Sequence, residues 1–171
     1  MAMIDWDNRI SVATYDMMQR LNKDLFGGNK VTVSIKIAID DYGFAPVREH
    51  PQDAGLDLKT PIGFVLEPNT SVVINTKVHI QLPPGLAGIL VSKSGLNVKH
   101  NITSTGLIDS GYTGAIHVKL YNHGKEAYEF HAGDKISQLV ITEVYTPDLQ
   151  LVKLEDLEGE RGTAGFGSTG R

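Results

Sequence analysis

Apolar residues recur at every second position in two stretches of this chain, and this spacing limits the fold more than any other feature. The stretches are residues 30–39 and 72–80. A period of two places neighbouring side chains on opposite faces of a β-strand. Residues 86–91 and 136–144 are apolar almost throughout, which is typical of strands buried on both faces. Because Gly, Pro and Asn clusters separate these segments, we predict an all-β jelly-roll, either a barrel or a sandwich.

Residues 1–29 lack this alternation and predict a short N-terminal helical extension. A helix over residues 11–26 would end at Gly27-Gly28 and would carry three apolar residues on one face: Met18, Leu21 and Leu25. Two interpretations stay open. The extension either contacts a partner protein or another subunit, or it covers one end of the β domain.

Length and composition indicate one globular domain of ordinary make-up. The chain has 171 residues, a net charge of −4 and no cysteine. The acidic balance argues against a nucleic-acid partner, and the lack of cysteine fits a reducing compartment. With no apolar run long enough for a signal peptide or a membrane span, we predict a cytoplasmic protein with no membrane contact. The β domain is predicted over residues 30–157, and a flexible Gly-rich arm over residues 158–171.

A turn followed by an alternating strand marks residues 106–122 as a hairpin. The turn is centred on Ser110-Gly111, because glycine tolerates a positive φ. One carboxylate, Asp109, lies at the hairpin mouth, and one aromatic ring, Tyr112, follows the turn. The mouth suits a small planar ligand. Alternatively, Asp109 only caps the backbone of its own turn.

Two shorter stretches also carry polar residues at the ends of apolar strands. Asp57 either lines a polar pocket or faces solvent. A short helix would begin near Lys93, with Ser92 or Ser94 as its cap. Its free N–H groups, together with Lys93, Ser94 and Gly95, suit a phosphate, although an ordinary capped turn explains the same residues.

The C-terminal residues 159–171 contain five glycines and predict no regular structure. A disordered terminus is the simplest interpretation. However, Phe166 stands between glycines and is followed by Ser and Thr. This arrangement suits an arm that becomes ordered over a nucleotide, with the ring stacked on a base.

Five segments resemble, in order and spacing, the five motifs of the homotrimeric dUTP diphosphatases (dUTPases). They are residues 54–58 (AGLDL), 93–96 (KSGL), 106–114 (GLIDSGYTG), 133–139 (GDKISQL) and 161–170 (RGTAGFGSTG). The resemblance implies a jelly-roll homotrimer with active sites at the subunit boundaries. It also implies hydrolysis of dUTP to dUMP and pyrophosphate, which supplies dUMP for thymidylate synthesis and keeps uracil out of DNA.

The same resemblance implies roles for the hairpin residues. Asp109 would be the general base that deprotonates a water for in-line attack on the α-phosphate. Tyr112 would pack on the deoxyribose and leave no room for a 2′-hydroxyl. The Watson–Crick edge of uracil would meet the backbone around Leu107 and Ile108, together with His117.

The remaining motif residues would bind the triphosphate. Phosphates and the attacking water would be held by four residues: Lys93, Ser94, Gly95 and Gln138. The arm would close over the base and the γ-phosphate through Arg161, Phe166, Gly167, Ser168 and Thr169. Mg²⁺ would bind the triphosphate mainly through water, with Asp57 in its outer shell.

The sequence departs from the commonest family pattern in four places, and one of them is the additional N-terminal helix. Lys93 and Lys135 replace frequent arginines, so that a point charge stands where a bidentate fork is usual. Thr103 would stand beside the uracil, where several members have Asn. Two alternatives remain: a dCTP deaminase, which shares the fold, and a nucleotide-gated regulatory protein that binds a protein partner through its N-terminal extension.

Overall fold

The computed structural model describes residues 34–159 and Gly162, and every structural statement below concerns that part of the chain. The chain divides into two compact units, Met1–Ile35 and Lys36–Arg171, and the elements named here belong to the second. The helix predicted in the N-terminal extension and most of the predicted arm lie outside the described residues. The domain boundaries therefore stay predictions.

Antiparallel strands dominate the described unit, which confirms the all-β prediction. In chain order the elements are β1 (Lys36–Ile39), β2 (Gly55–Lys59), β3 (Phe64–Leu66), β4 (Ser71–Gln81), β5 (Leu86–Val91), α1 (Ser94–His100), β6 (Ile102–Ile108), β7 (Ala115–Asn122), β8 (Tyr128–Phe130), β9 (Lys135–Glu143) and a 3₁₀ turn (Leu154–Asp156). Seven strands form one curled sheet in the order β1-β4-β7-β6-β5-β9-β2, and β3 pairs with β8 in a second sheet. None of the helices described has the length and apolar character needed to cross a bilayer.

The core contains the inward-facing residues of the alternating strands. On β7, Ile116, Val118 and Leu120 are fully buried, whereas His117 and Lys119 on the opposite face are exposed. Burying each such aliphatic side chain contributes about 1.5–3 kcal/mol. The inward residues of β4 meet them across the strand pair: Ile74, Thr76, Val78 and Ile80. Alternation in the sequence thus predicted both faces of the β4–β7 strand pair.

Three local expectations differ from the structure. All four residues of β1, the strand at one edge of the sheet, are exposed, so that its alternating apolar residues face no core of the described domain. β5 and β9 are not buried on both faces: Ile89 of β5 is exposed, and residues 140–142 of β9 are only half-buried. Neither serine caps α1: Lys93 is the N-cap and makes no side-chain cap, while the hydroxyl of Ser92 donates to the carbonyl of Ser104 (3.1 Å).

A bulge interrupts β4 opposite the start of β7. Asn75 pairs with His117 and His79 pairs with Ala115, so that β4 carries two additional residues in this interval. Lys77 adopts a positive φ of 65° there, and its N–H donates to Oδ1 of Asn75 (2.8 Å). A bulge of this kind redirects the side chains that follow it. Here it aims His79 at the turn that precedes β7.

The segment that leads towards the C-terminus has almost no regular structure. Between β9 and Gly159 the described chain forms only the 3₁₀ turn. Several of its apolar side chains are largely exposed: Leu149, Leu151, Leu154 and Leu157. A row of exposed leucines is typical of a surface that contacts another molecule.

Candidate active site

The turn between β6 and β7 forms where the sequence predicts it. The N–H of Tyr112 donates to the carbonyl of Asp109 (3.2 Å), and Gly111 has a φ of +87°. Ser110-Gly111 is therefore the centre of the turn, and the positive φ explains the glycine. The interpretation that Asp109 caps its own turn is not supported, because its carboxylate makes no hydrogen bond with any residue the structure describes.

The two strands that enter and leave this turn separate before they reach it. β6 pairs with β7 only from Ile102↔Asn122 to Thr105↔Lys119. The last three residues of β6 and the first four of β7 are therefore not paired with each other. We call this gap the hairpin slot. A cavity of about 250 Å³ opens here, lined by Leu107, Ile108, Asp109, Tyr112 and His117.

Unpaired backbone edges make the hairpin slot a hydrogen-bonding site. Backbone N–H and C=O groups are strong donors and acceptors that are normally satisfied. A flat heterocycle that carries donors and acceptors on its edge can take the place of the missing strand partner. The slot brings together the hairpin residues that the sequence predicted to bind a base, which are Leu107, Ile108 and His117.

Two side chains beside the slot bond to the same backbone carbonyl. The hydroxyl of Tyr112 donates to the carbonyl of Ala115 (2.9 Å), and Nδ1 of His117 lies 2.9 Å from the same oxygen. Because a carbonyl only accepts, Nδ1 of His117 carries the proton, and Nε2 is left as an acceptor in the neutral ring. A Cβ at Gly114 would lie 2.6 Å from Cζ of Tyr112, so that the ring requires glycine there.

A buried carboxylate organises the second group of candidate residues. Asp57 is only 3% exposed, which contradicts the solvent-facing interpretation. Its Oδ1 accepts from Nζ of Lys93 (2.6 Å) and from Nε2 of Gln138 (3.3 Å). Its Oδ2 lies 2.9 Å from Nζ of Lys135, which also donates to Glu49 (2.7 Å). We call these five residues the Asp57 cluster.

The charges of the Asp57 cluster stabilise one another. Burial raises the pKa of Asp57, but the hydrogen bonds from Lys93 and Lys135 outweigh it and hold the pKa below its ordinary value. The hydrogen bonds to Glu49 and then to Asp57 raise the pKa of Lys135. The hydrogen bond from Lys135 lowers the pKa of Glu49. Asp57, Lys135 and Glu49 are therefore charged at neutral pH.

Buried hydroxyl groups connect the strands beneath this cluster. Ser104 and Ser137 share a hydrogen bond (2.9 Å), and Ser137 also donates to the carbonyl of Val91 (3.1 Å). Ser92 accepts from the N–H of Ser104 (2.9 Å). These bonds fix the end of β5, from which the chain enters α1. Sequence reasoning missed Ser104 and Ser137, although small hydroxyl residues inside buried strands are a usable signal.

Of the other predicted site residues, some lie in the part of the chain that the structure describes and some lie outside it. Ser94 and Gly95 form the first turn of α1, and a Cβ at Gly95 would meet no atom within 4 Å. Thr103 pairs with Tyr121, and its hydroxyl lies 3.0 Å from Nε2 of His123, outside the slot cavity. The predicted arm residues lie outside the described residues: Arg161, Phe166, Gly167, Ser168 and Thr169.

The hairpin slot and the Asp57 cluster lie far apart within one chain. Val91 is aligned with Thr105 on β6 and with Gln138 on β9, which is aligned with Asp57 on β2. Asp109 follows Thr105 by four residues, or roughly 13 Å of strand at 3.3–3.4 Å per residue. β6 is also separated from β2 by β5 and β9. One chain therefore cannot bring Asp109 to the ammonium groups of Lys93 and Lys135.

Comparison with known proteins identifies the family to which these features belong. The sequence profile described as dUTPase matches residues 41–170. The chain belongs to the dUTPase family. It is 42% identical over 142 residues to the deoxyuridine 5'-triphosphate nucleotidohydrolase of Clostridium acetobutylicum, covering 81% of this chain and 97% of that protein. It is 38% identical over 136 residues to the mouse (Mus musculus) protein of the same name, covering 79% and 83%.

Solved dUTPase structures have the same architecture. The chain matches a mutant dUTPase of Staphylococcus bacteriophage 80alpha with dUpNHpp, with a TM-score of 0.75, 30% identity, and coverage of 82% of this chain and 100% of that one. It also matches a mutant dUTPase from phage phi11 of S. aureus, with a TM-score of 0.66, 30% identity, and coverage of 71% and 97%. The predicted jelly-roll fold is the fold of these dUTPases.

The described residues do not fit a metal ion held by this chain. The structure of the phi11 phage dUTPase mutant contains a structural Mg(II) ion. In this chain, the described residues contain no group of three or more His, Asp or Glu side chains placed to hold a metal. Asp57, the residue predicted for the outer shell, already bonds two ammonium groups and an amide. A carboxylate so surrounded is a poor direct ligand for a divalent cation, and the role of Asp57 in the outer shell, through water, stays a prediction.

Proposed function

We propose that this chain hydrolyses dUTP to dUMP and pyrophosphate, supplying dUMP for thymidylate synthesis and keeping uracil out of DNA. Membership of the dUTPase family supports the reaction. The hairpin slot, with Asp109 at its mouth, is the observation that carries the proposal. The tail motif and the intact Asp109 favour a diphosphatase over a dCTP deaminase or a regulatory protein without catalysis.

The hairpin slot binds uracil by its edge. Uracil presents an acceptor at O4 and a donor at N3, whereas cytosine presents an amine and an acceptor at these positions. Backbone groups in the slot, together with the free Nε2 of His117, therefore distinguish the two bases. Tyr112 packs on the deoxyribose and excludes a 2′-hydroxyl. The ring is held in place by its hydrogen bond to the Ala115 carbonyl, and Gly114 leaves space for it.

Asp109 is the general base of the reaction. It takes a proton from water, the water oxygen bonds to the α-phosphorus, and the bond from that phosphorus to the bridging oxygen breaks to release pyrophosphate. Lys93, Ser94 and Gly95 bind the phosphates, and Gln138 orients the water. The Asp57 cluster prepares this end of the site, because it fixes the Lys93 ammonium group before the substrate arrives.

A homotrimer completes the active site. Asp109 and Lys93 belong to opposite ends of one chain, so that in-line attack requires the hairpin slot of one copy and the Asp57 cluster of another. The exposed leucines of the segment after β9 are available to contact such a copy. The arm residues, among them Arg161 and Phe166, then close over the nucleotide.

The substrate is the magnesium complex of dUTP. Mg²⁺ keeps most of its waters and is usually bound through phosphates and few protein groups. The cytoplasmic location stays a prediction.

A nucleotide panel tests the proposed function. The protein is incubated with dUTP, dCTP, dTTP and UTP plus Mg²⁺, and the products are identified by chromatography. We expect dUMP and pyrophosphate from dUTP, with little turnover of the other three. Formation of dUTP and ammonia from dCTP would identify a deaminase. Binding of dUTP without turnover would favour the regulatory protein.

A truncation tests the arm. Removal of residues 161–171 should leave the oligomer intact while it greatly reduces turnover of dUTP. Replacement of Phe166 by Ala should reduce turnover less than the truncation does. The loss should correspond to about 1–3 kcal/mol, the free energy typical of one stacking contact. Light scattering and the dUTP assay are compared with those of the full chain. Normal turnover by the truncated protein would show that the tail has no role in catalysis.

A further inference from the structure

His79 connects three separate segments beside the hairpin slot. It lies on β4 directly after the bulge. Its Nδ1 lies 2.8 Å from the carbonyl oxygen of Thr113, in the turn that carries Asp109 and Tyr112. Its Nε2 lies 3.1 Å from Oδ2 of Asp40, the residue after β1. The side chain of His79 is 28% exposed, so that water reaches it without separating these contacts.

The two contacts identify the protonation state of the ring. A carbonyl oxygen only accepts a hydrogen bond, so Nδ1 must carry a proton. An ionised carboxylate also only accepts, so Nε2 must carry a proton as well. The neutral ring has one N–H and can make only one of these bonds. Both bonds together therefore require the imidazolium form.

We propose that His79 is a positioning residue for the dUTPase site: as an imidazolium it joins Asp40 to the Thr113 carbonyl and so holds the turn that carries Asp109 and Tyr112. This inference rests on the proposed function, since it assigns a task within that site. His79 does not line the slot cavity and acts only through the turn.

Within the described part of the chain, few hydrogen bonds connect the turn to the rest of the domain, so that the bond from His79 matters for its position. Next to the slot, β6 and β7 do not pair with each other. Tyr112 makes the two further bonds, to Asp109 and to Ala115, and both remain within the hairpin. Among the described residues, His79 makes the side-chain hydrogen bond that reaches residues 109–114 from another strand. The backbone pairs Gly88↔Ile108 and His79↔Ala115 anchor the two ends of the turn, and this side-chain bond adds a contact from β4 to the turn itself.

The charges around His79 set the direction of the pH effect. The hydrogen bond to the Thr113 carbonyl and then the bond to Asp40 raise the pKa of His79, whereas burial and Lys77 on β4 oppose this. Lys36 on β1 lines the same 470 Å³ cavity as His79. Asp109 and Tyr112, the titratable groups of the turn, line the hairpin slot instead. With a raised pKa, the bridge is complete at low pH and is lost as pH rises through that pKa.

Kinetics across pH test the role in the site. KM and kcat for dUTP are measured from pH 5.5 to 9 for wild type, His79→Ala, His79→Gln and Asp40→Asn. We expect the wild-type KM to rise and kcat to fall as His79 deprotonates, because the turn positions both Tyr112 and the proposed base Asp109. His79→Ala should raise KM at low pH by about 2- to 12-fold, the range for one hydrogen bond, and remove the pH dependence. His79→Gln keeps a donor that does not titrate, so that its KM should be intermediate and independent of pH.

A control variant and a second readout make the test decisive. His131→Gln removes another histidine near two carboxylates, but in the loop between β8 and β9, and its KM profile should equal that of wild type. Amide exchange over residues 109–115 is measured without nucleotide, as protection relative to intrinsic rates. The protection should fall in His79→Ala and as His79 deprotonates, which NMR titration of the ring detects independently.

The outcomes separate this inference from the proposed function. If wild type does not hydrolyse dUTP, the proposed function fails, and exchange and titration alone decide whether His79 holds the turn. If dUTP is hydrolysed but His79→Ala retains the wild-type KM profile and hairpin protection, the positioning role is wrong. Asp40→Asn should shift the wild-type rise in KM to lower pH, and an unchanged profile would remove Asp40 from the bridge.

Discussion

The hairpin slot and the Asp57 cluster are built in opposite ways. At the slot, paired strands separate, backbone groups are left without strand partners, and the carboxylate of Asp109 has no hydrogen bond within the described residues. At the cluster, a carboxylate of the same kind is buried and accepts from two ammonium groups and an amide. The hydrogen-bonding groups of the slot are left for a ligand to satisfy, whereas those of the Asp57 cluster already satisfy one another.

This difference matches the two tasks proposed for the regions. A base is recognised when its edge satisfies groups that are otherwise unpaired, because an incorrect base leaves some of them unsatisfied. A highly charged triphosphate is stabilised by groups whose positions are already fixed. Substitutions at the slot should therefore change catalysis and leave stability nearly unchanged. Substitutions at the cluster should change stability and binding together.

The largest effect is expected at the slot from Asp109→Asn. This change removes the proposed general base but keeps the shape of the side chain. Turnover of dUTP should fall by about 10²–10⁴-fold or more, which is the usual contribution of general-base assistance. Thermal unfolding and binding of dUpNHpp, measured by calorimetry, should match those of wild type. Full turnover by the variant would remove Asp109 from the role of base.

At the cluster, Asp57→Asn should act mainly on stability. The change leaves Lys93 and Lys135 without their shared counter-charge and should cost about 1–3 kcal/mol, the usual penalty for unsatisfied buried polar groups. Urea unfolding at constant protein concentration measures this loss, and KM for dUTP should rise with it. A variant as stable as wild type, with a raised KM, would show that the cluster serves binding alone.

The stability difference at Asp57 should also depend on pH. Because the folded pKa of Asp57 is lowered, its contribution is present above the pKa of the unfolded chain and is lost as pH falls through the folded value. The difference between wild type and Asp57→Asn should therefore be constant near pH 7 and should shrink below about pH 4. Unfolding curves at several pH values measure it. A difference that persists at pH 2 would mean that the charge of Asp57 is not its cause.

The two regions also differ in how far the sequence predicts them. The turn at Ser110-Gly111, Asp109 and Tyr112 are adjacent in the chain, and local turn chemistry was sufficient to place them. Asp57 is buried together with its partners Lys93 and Gln138, which are 36 and 81 residues away in the sequence. The residues next to Asp57 therefore could not predict its burial. The separation of β6 from β7 was also not predictable, because register reflects the whole sheet.

A second effect at the slot is expected from Gly114→Ala. The added Cβ would occupy the space of the Tyr112 ring, and the ring must leave its position against Ala115. A displaced rotamer costs about 0.5–1.5 kcal/mol. KM for dUTP should rise accordingly, and discrimination against UTP should weaken because the ring no longer excludes the 2′-hydroxyl. Parallel assays with dUTP and UTP measure both changes.

The smallest effect is expected from Glu49→Gln, at the outer edge of the cluster. Lys135 bonds both Glu49 (2.7 Å) and Asp57 (2.9 Å), but the side chain of Glu49 is 58% exposed, whereas that of Asp57 is 5% exposed. Exposed ion pairs are worth about 0–1 kcal/mol, because water and salt screen them. Glu49→Gln should therefore lower the free energy of unfolding by less than Asp57→Asn does, and the loss should diminish in high salt. Urea unfolding of both variants at low and high salt makes the comparison. If Glu49→Gln proved as costly as Asp57→Asn, Lys135 would be held mainly from the surface, and the buried carboxylate would not be the centre of the cluster.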